Sequence, residues 1–232
     1  MEEIEKALDS VVAKLSDENY AQSLDFYRFW FDVGQTYHQI TSDHISDAIW
    51  KHRVKIMDFQ PGKLTPPTAH LILRFASDVE SDQPPSSSGL QSRLCARSLR
   101  GFFSGNLSIA SGGSCQELYA DVNLIAHWAN LGYVEEAAIR NHILQSLISH
   151  PTLHDHQAYA LIILFKLAGA TFKAYTDPSV FDRCFELLKN HPISGLGRGR
   201  SGPGWVELEL AKQVRAPQWW EVTIGLRRIF RR

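Results

Sequence analysis

The sequence predicts an all-α protein of packed helical hairpins, arranged as a HEAT/armadillo-like array or as an irregular helical bundle. Three observations carry that expectation. Apolar residues recur three and four positions apart along most of the chain, the spacing that lines one face of a helix. The segments are punctuated by helix start and stop signals, such as Asp177-Pro178 and Leu131-Gly132. A hydrophobic share of 44% over 232 residues is enough to bury a sizeable core.

Ile4, Leu8, Val11, Val12 and Leu15 form the apolar stripe of a first helix. A second runs from about Asn19 to Ile40. Its Leu24, Phe26, Tyr27, Phe29, Trp30 and Phe31 make it apolar on most sides, which predicts a central place in its layer. Ser42 offers an N-cap to a third helix whose inner face is Ile45, Ala48, Ile49, His52 and Ile56, and Gln60-Pro61-Gly62 ends it. Pro66-Pro67 opens a fourth, with Leu71, Ile72 and Phe75 inward.

The polar, aperiodic stretch from Asp78 to Gly89 reads as a loop and domain boundary. A short helix of about Leu90–Phe103 and a second loop, Ser108 to Cys115, follow. From Cys115 to Pro192 the pattern is most regular. One helix turns at Leu131-Gly132, another carries Glu135 and Glu136 in its first turn, a third spans about Asp155–Ala170, and the last starts at Asp177-Pro178. The expected organisation is an N-terminal helical layer (1–80), a loop-rich linker with a short helix (81–114), a helical-hairpin region (115–192), and a Gly/Arg-rich linker with a basic amphipathic C-terminal helix (193–232).

An internal echo runs through the third region. Leu-Ile-Ser-His-Pro at 147–151 matches Leu-Lys-Asn-His-Pro at 188–192, and the same offset sets Leu124 on Phe165, Ala129 on Ala170, Ile139 on Val180 and Leu144 on Phe185. A period near 40 residues with two helices per unit is that of HEAT-like arrays, which normally need three or more units.

The net charge of −1 gives no global attraction to nucleic acid or membrane. It hides an acidic front, through Trp50, and a basic tail, after Asn190, which could pair within one molecule or between two. Three widely spaced cysteines (Cys95, Cys115, Cys184) suit a reducing compartment, and the acidic first residues lack the apolar run of a signal peptide. The most apolar run, Leu161 to Ala170, is about half the length that spans a bilayer. The expectation is an intracellular protein, cytoplasmic or nuclear.

No catalytic or cofactor motif emerges. His142, His150, His154 and His156 cluster, but Pro151 breaks the helix that would align His150 with His154 on one metal-binding face. Gly197-Arg198-Gly199-Arg200-Ser201-Gly202 satisfies Gly-x-Gly-x-x-Gly, yet follows a proline-ended helix and runs into Pro203, so a linker is expected. Ser111-Gly112-Gly113-Ser114-Cys115 holds a thiol without an assignable base. No catalytic, cofactor-binding or metal-ligating residue is therefore assigned, and no small-molecule substrate.

The tail offers the candidate contact residues: Trp219, Trp220, Arg227, Arg228, Phe230, Arg231 and Arg232. Trp219, Val222, Leu226 and Ile229 share one helical face, with the arginines at its end. Such a helix can dock on its own core, enter a partner's groove or lie on an anionic membrane.

Three blocks, Leu24 to Gly34, Met57 to Leu64, and Tyr119 through Ala129-Asn130-Leu131-Gly132-Tyr133 to His191, together resemble the N-terminal helical region of fungal (basidiomycete) BTB/POZ-domain proteins. The resemblance covers about Asn19 to His191 and implies a helical region that precedes a proline-rich linker and a BTB fold; its blocks are not catalytic signatures. The strand-rich BTB domain that would follow is not in this sequence, so no oligomerisation or ubiquitin-ligase adaptor role carries over. The expected function is a non-enzymatic helical scaffold that binds an unidentified protein partner. An RNA-associated, MIF4G-like helical-repeat domain is the alternative, and peripheral membrane or partner-groove contact through the C-terminal helix the second.

Overall fold

The computed structural model describes residues 2–38, 42–59, 69–81, 89–109, 115–149 and 153–191. Among them every regular element is a helix: α1 (Glu2–Ala13), α2 (Tyr20–His38), α3 (Ser42–Ile56), α4 (His70–Ser81), α5 (Leu90–Ile109), α6 (Cys115–Leu131), α7 (Glu136–Ala138), α8 (Leu144–Leu147), α9 (Asp155–Tyr175) and α10 (Pro178–Asn190). A π-helical turn, Ile139–Ile143, joins α7 to α8. The all-α expectation holds. The chain divides into two compact units, Met1–Arg100 and Gly101–Arg232. The division falls inside α5, which continues six residues past the expected stop at Phe103, from Ser104 to Ile109. The polar stretch expected to mark the boundary begins with helical residues, Asp78 to Ser81, at the end of α4.

In the first unit α1 lays Ile4, Leu8 and Val12 into the core, Leu15 follows just after it, and α1 packs against α3 and α2. Asn19 ties α1 to α2. Its Nδ2 donates to the Lys14 carbonyl at 2.7 Å, its Oδ1 accepts from the Ser16 amide at 2.9 Å, and its carbonyl accepts from the Ser23 amide. An asparagine is well suited to this corner because its short amide can replace lost backbone partners at a helix start.

The inner face of α2 is Tyr20, Ser23, Leu24 and Tyr27, and it meets α4. Phe75 of α4 is fully buried there, edge-on to Tyr20 (6.2 Å) and to Tyr27 (5.4 Å). The Tyr20 hydroxyl donates to Asp78 at 2.5 Å, and Arg74 covers the Tyr20 ring at 4.0 Å. The central position expected of α2 is not what its described side chains adopt. Phe26 and Phe29 point away from this core, 41% and 61% exposed.

Helix α3 ends at Ile56, and Gln60-Pro61-Gly62, expected to end it, lie outside the described residues, as do Pro66 and Pro67. Asp58 takes a left-handed conformation (φ 48°), and the amides of Asp58 and Phe59 return to the carbonyls of Lys55 and Val54. This is the Schellman closure, and aspartate tolerates it better than most non-glycine residues. Helix α6 ends the same way, with Gly132 (φ 81°) supplying the turn, Tyr133 N–H returning to Trp128 C=O at 2.9 Å, and the two rings in contact at 5.5 Å.

The second unit is centred on α6 and α9, both buried over most of their length. They run in parallel, because Tyr119 meets Tyr159 near their starts (ring centroids 4.6 Å) and Asn130 meets Thr171 near their ends (2.7 Å). These pairs lie 40 and 41 residues apart, and the second spacing equals the offset of the sequence echo. Helices α8 and α10 pack on each other and on α9, and α6 packs along α9.

Helix α9 continues to Tyr175, past the expected end at Ala170, through a kink at Ala168 (φ −137°, ψ 20°). Beside the kink, Asn130 Nδ2 donates to the Leu167 carbonyl at 2.8 Å. His156–Tyr175 is long and apolar enough to cross a membrane, yet in this fold it is the core helix of the unit, with Leu161, Ile163, Leu164 and Phe172 fully buried. Asp177 caps α10 as its sequence predicts, accepting from the Ser179 amide at 2.8 Å with Pro178 in the first turn. Phe181, Cys184 and Leu188 then face inward, and Phe185 stacks on Phe165 at 4.8 Å.

Candidate functional site

Two surface features of the first unit carry the chemistry that the described residues offer. The first is a groove of about 400 Å³ between α1 and α3, bordered by Glu5, Lys6, Leu8, Asp9, His44, Asp47, Ala48 and Lys51. Helical spacing puts Glu5 and Asp9 of α1 on one stripe, facing His44, Lys51 and His52 of α3. Asp9 accepts from Lys51 Nζ at 3.1 Å and lies 3.0 Å from His52 Nε2, and Glu5 lies 3.5 Å from His44. Toward α5, Asp43 pairs with Arg93 and the groove-bordering Asp47 with Arg97, whose Nε also donates to Ser46 at 3.1 Å.

Charges so engaged fasten helices together. Each such surface pair contributes on the order of 0–1 kcal/mol, and together they fix which faces of α1, α3 and α5 meet. Partial burial pushes the Asp9 carboxyl up, but hydrogen bonds and charge from Lys51 and His52 outweigh it and hold the group below its ordinary 3.8. A carboxyl depressed by folding stabilises above its unfolded value, and that contribution disappears as pH falls through the folded value. Acid titration of unfolding should therefore show a limb below pH 3.8 that Asp9→Asn flattens, read by circular dichroism. An unchanged limb in the variant would show that Asp9 is not coupled to folding.

The second feature is the outer face of α2. Gln22, Asp25, Phe26, Phe29 and Asp32 are all exposed on it, opposite the buried Tyr20, Leu24 and Tyr27. Asp25 stands four residues before Phe29 and Asp32 three after, so both carboxylates share its stripe. Arg28 lies beside the stripe, 3.6 Å from Asp25. The result is an aromatic pair rimmed by acids on a rigid element.

Burial pushes the Cys95 and Cys184 thiols up to about 12, which keeps them protonated and unreactive at neutral pH. Among the described residues no group of three His, Cys, Asp or Glu side chains could hold a metal ion. His154 and His156 stack ring on ring at 5.6 Å, and His142 is exposed on the π-helical turn.

The tail residues singled out in the sequence, Trp219, Trp220, Arg227, Arg228, Phe230, Arg231 and Arg232, lie outside the described residues, as do His150, Gly197 to Gly202 and Ser111 to Ser114. The α2 face went unread because aromatic residues suggest burial. The signal that could have found it is the pair of aspartates, since a helix face carrying Asp25 and Asp32 does not enter an apolar core. No family model matches this chain, and no curated protein or solved structure matches it either.

Proposed function

We propose that this chain is a helical protein-binding module whose contact surface is the outer face of α2. The observation that carries the reading is the exposure of Phe29 and Phe26 side by side on a helix whose other face is firmly seated on Phe75. Leaving a large apolar side chain in water rather than burying it forgoes about 1.5–3 kcal/mol. Aromatic residues at the centre of a polar rim are the usual anchors of protein interfaces. The charges of the α1–α3 groove are engaged with one another, which leaves the outer face of α2 as the candidate contact surface.

A photo-crosslinking amino acid placed at Phe29, with exposed Ser92 of α5 as the control site, tests the reading in lysate of the native source. A discrete adduct is expected from position 29 and not from position 92. Equal or absent adducts at the two positions would remove the proposal.

A further inference from the structure

We propose that the outer face of α2 docks the C-terminal segment Trp219–Arg232 of a second copy of this chain, two copies exchanging segments reciprocally. This names the partner of the interface proposed above and rests on that reading. The two surfaces complement each other in pattern and in charge. On α2 the exposed Phe29 is bracketed by Asp25 and Asp32, Phe26 widens the apolar stripe, and Glu18 is exposed just before the helix begins. In the segment, Trp219, Val222, Leu226 and Ile229 recur at spacings of three and four, and Arg227, Arg228, Arg231 and Arg232 crowd its end against a single acid, Glu221. An amphipathic helix of that pattern can set its apolar residues along an apolar stripe while its arginines meet flanking carboxylates.

The surface required argues for exchange rather than for a one-way contact. A stable association buries about 800 Å² on each partner, more than one short helix covers. Reciprocal exchange makes the contact twice around a two-fold axis, which closes the assembly. Once the first segment is seated, the second binds at a high effective concentration. A net charge of −1 sets no overall repulsion between copies.

Sedimentation velocity on the purified full chain, from low to high micromolar, tests this. The expected result is a dimer at low salt that weakens as salt rises. Phe29→Asp should be monomeric under the same conditions. Two charge reversals separate a lost contact from a lost fold. A face variant (Asp25→Lys with Asp32→Lys) and a tail variant (Arg227, Arg228, Arg231 and Arg232 all →Glu) should each be monomeric alone. Mixed, they should pair, because every face then meets a tail of opposite sign. A wild-type chain that stays monomeric overturns the assignment, and so does a dimer that survives Phe29→Asp or the tail reversal. If the purified chain is monomeric while a cross-linker at position 29 still captures another protein, the self-association falls and the α2 interface stands.

Discussion

Phe75→Ala should cost the first unit about 3–5 kcal/mol, the usual range for removing a buried phenylalanine. The ring is wholly excluded from water and is the common neighbour of Tyr20 and Tyr27, which approach it edge-on from α2. Such aromatic pairs add about 0.5–1.5 kcal/mol each beyond their buried area. With domain stabilities of about 5–15 kcal/mol, the loss is a large share of what holds the unit folded. Hydrogen exchange of the α2 and α4 amides reads it directly, because both helices lose protection together when their shared ring is gone. Phe29→Ala, on the outer face of the same helix, should change protection by no more than about 0.5 kcal/mol. A Phe75→Ala chain within about 1 kcal/mol of the parent would mean that the α2–α4 seam is not packed as described.

Asn130→Ala should cost the second unit about 2–4 kcal/mol, through desolvation rather than through lost volume. The side chain performs two tasks at once. Its Nδ2 donates to the Leu167 carbonyl beside the kink, and its Oδ1 accepts from Thr171 Oγ1 at 2.7 Å. Alanine takes one partner from a part-buried carbonyl and from a buried hydroxyl. Thr171→Val removes only the hydroxyl and should cost about 1 kcal/mol, with part of the Asn130→Ala cost recovered when both changes are combined. Urea unfolding of the four chains in this cycle measures the coupling. Strict additivity would show that the two residues act independently.

Helices with one clean apolar stripe were legible in advance. α1 and α10 are the clearest, since Ile4-Leu8-Val12 and Phe181-Cys184-Leu188 have only one face to bury, and Asp177-Pro178 marks its helix start by local chemistry alone. The Gly132 stop is local for the same reason. What depends on a distant partner was not legible. Phe26 and Phe29 look like core residues until Tyr20 and Tyr27 are seen to face Phe75. Arg53 is buried although charged, because its guanidinium lies 3.9 Å over the Trp50 ring and Nη1 donates to the Trp50 carbonyl. The kink at Ala168 has no proline to announce it, so α9 was expected to stop where it only bends. The candidate interface was likewise half visible: its charges could be read from spacing, its exposure only from packing.

The parallel course of α6 and α9 also bears on how such a chain can grow. Helices that run the same way at an offset of 40 to 41 residues repeat a step rather than closing a ring. A tandem duplication of 41 residues in the gene would present the new helix to α9 as α9 is presented to α6, without reversing the chain or rethreading a loop. Length can then change in whole steps while each junction keeps its neighbours.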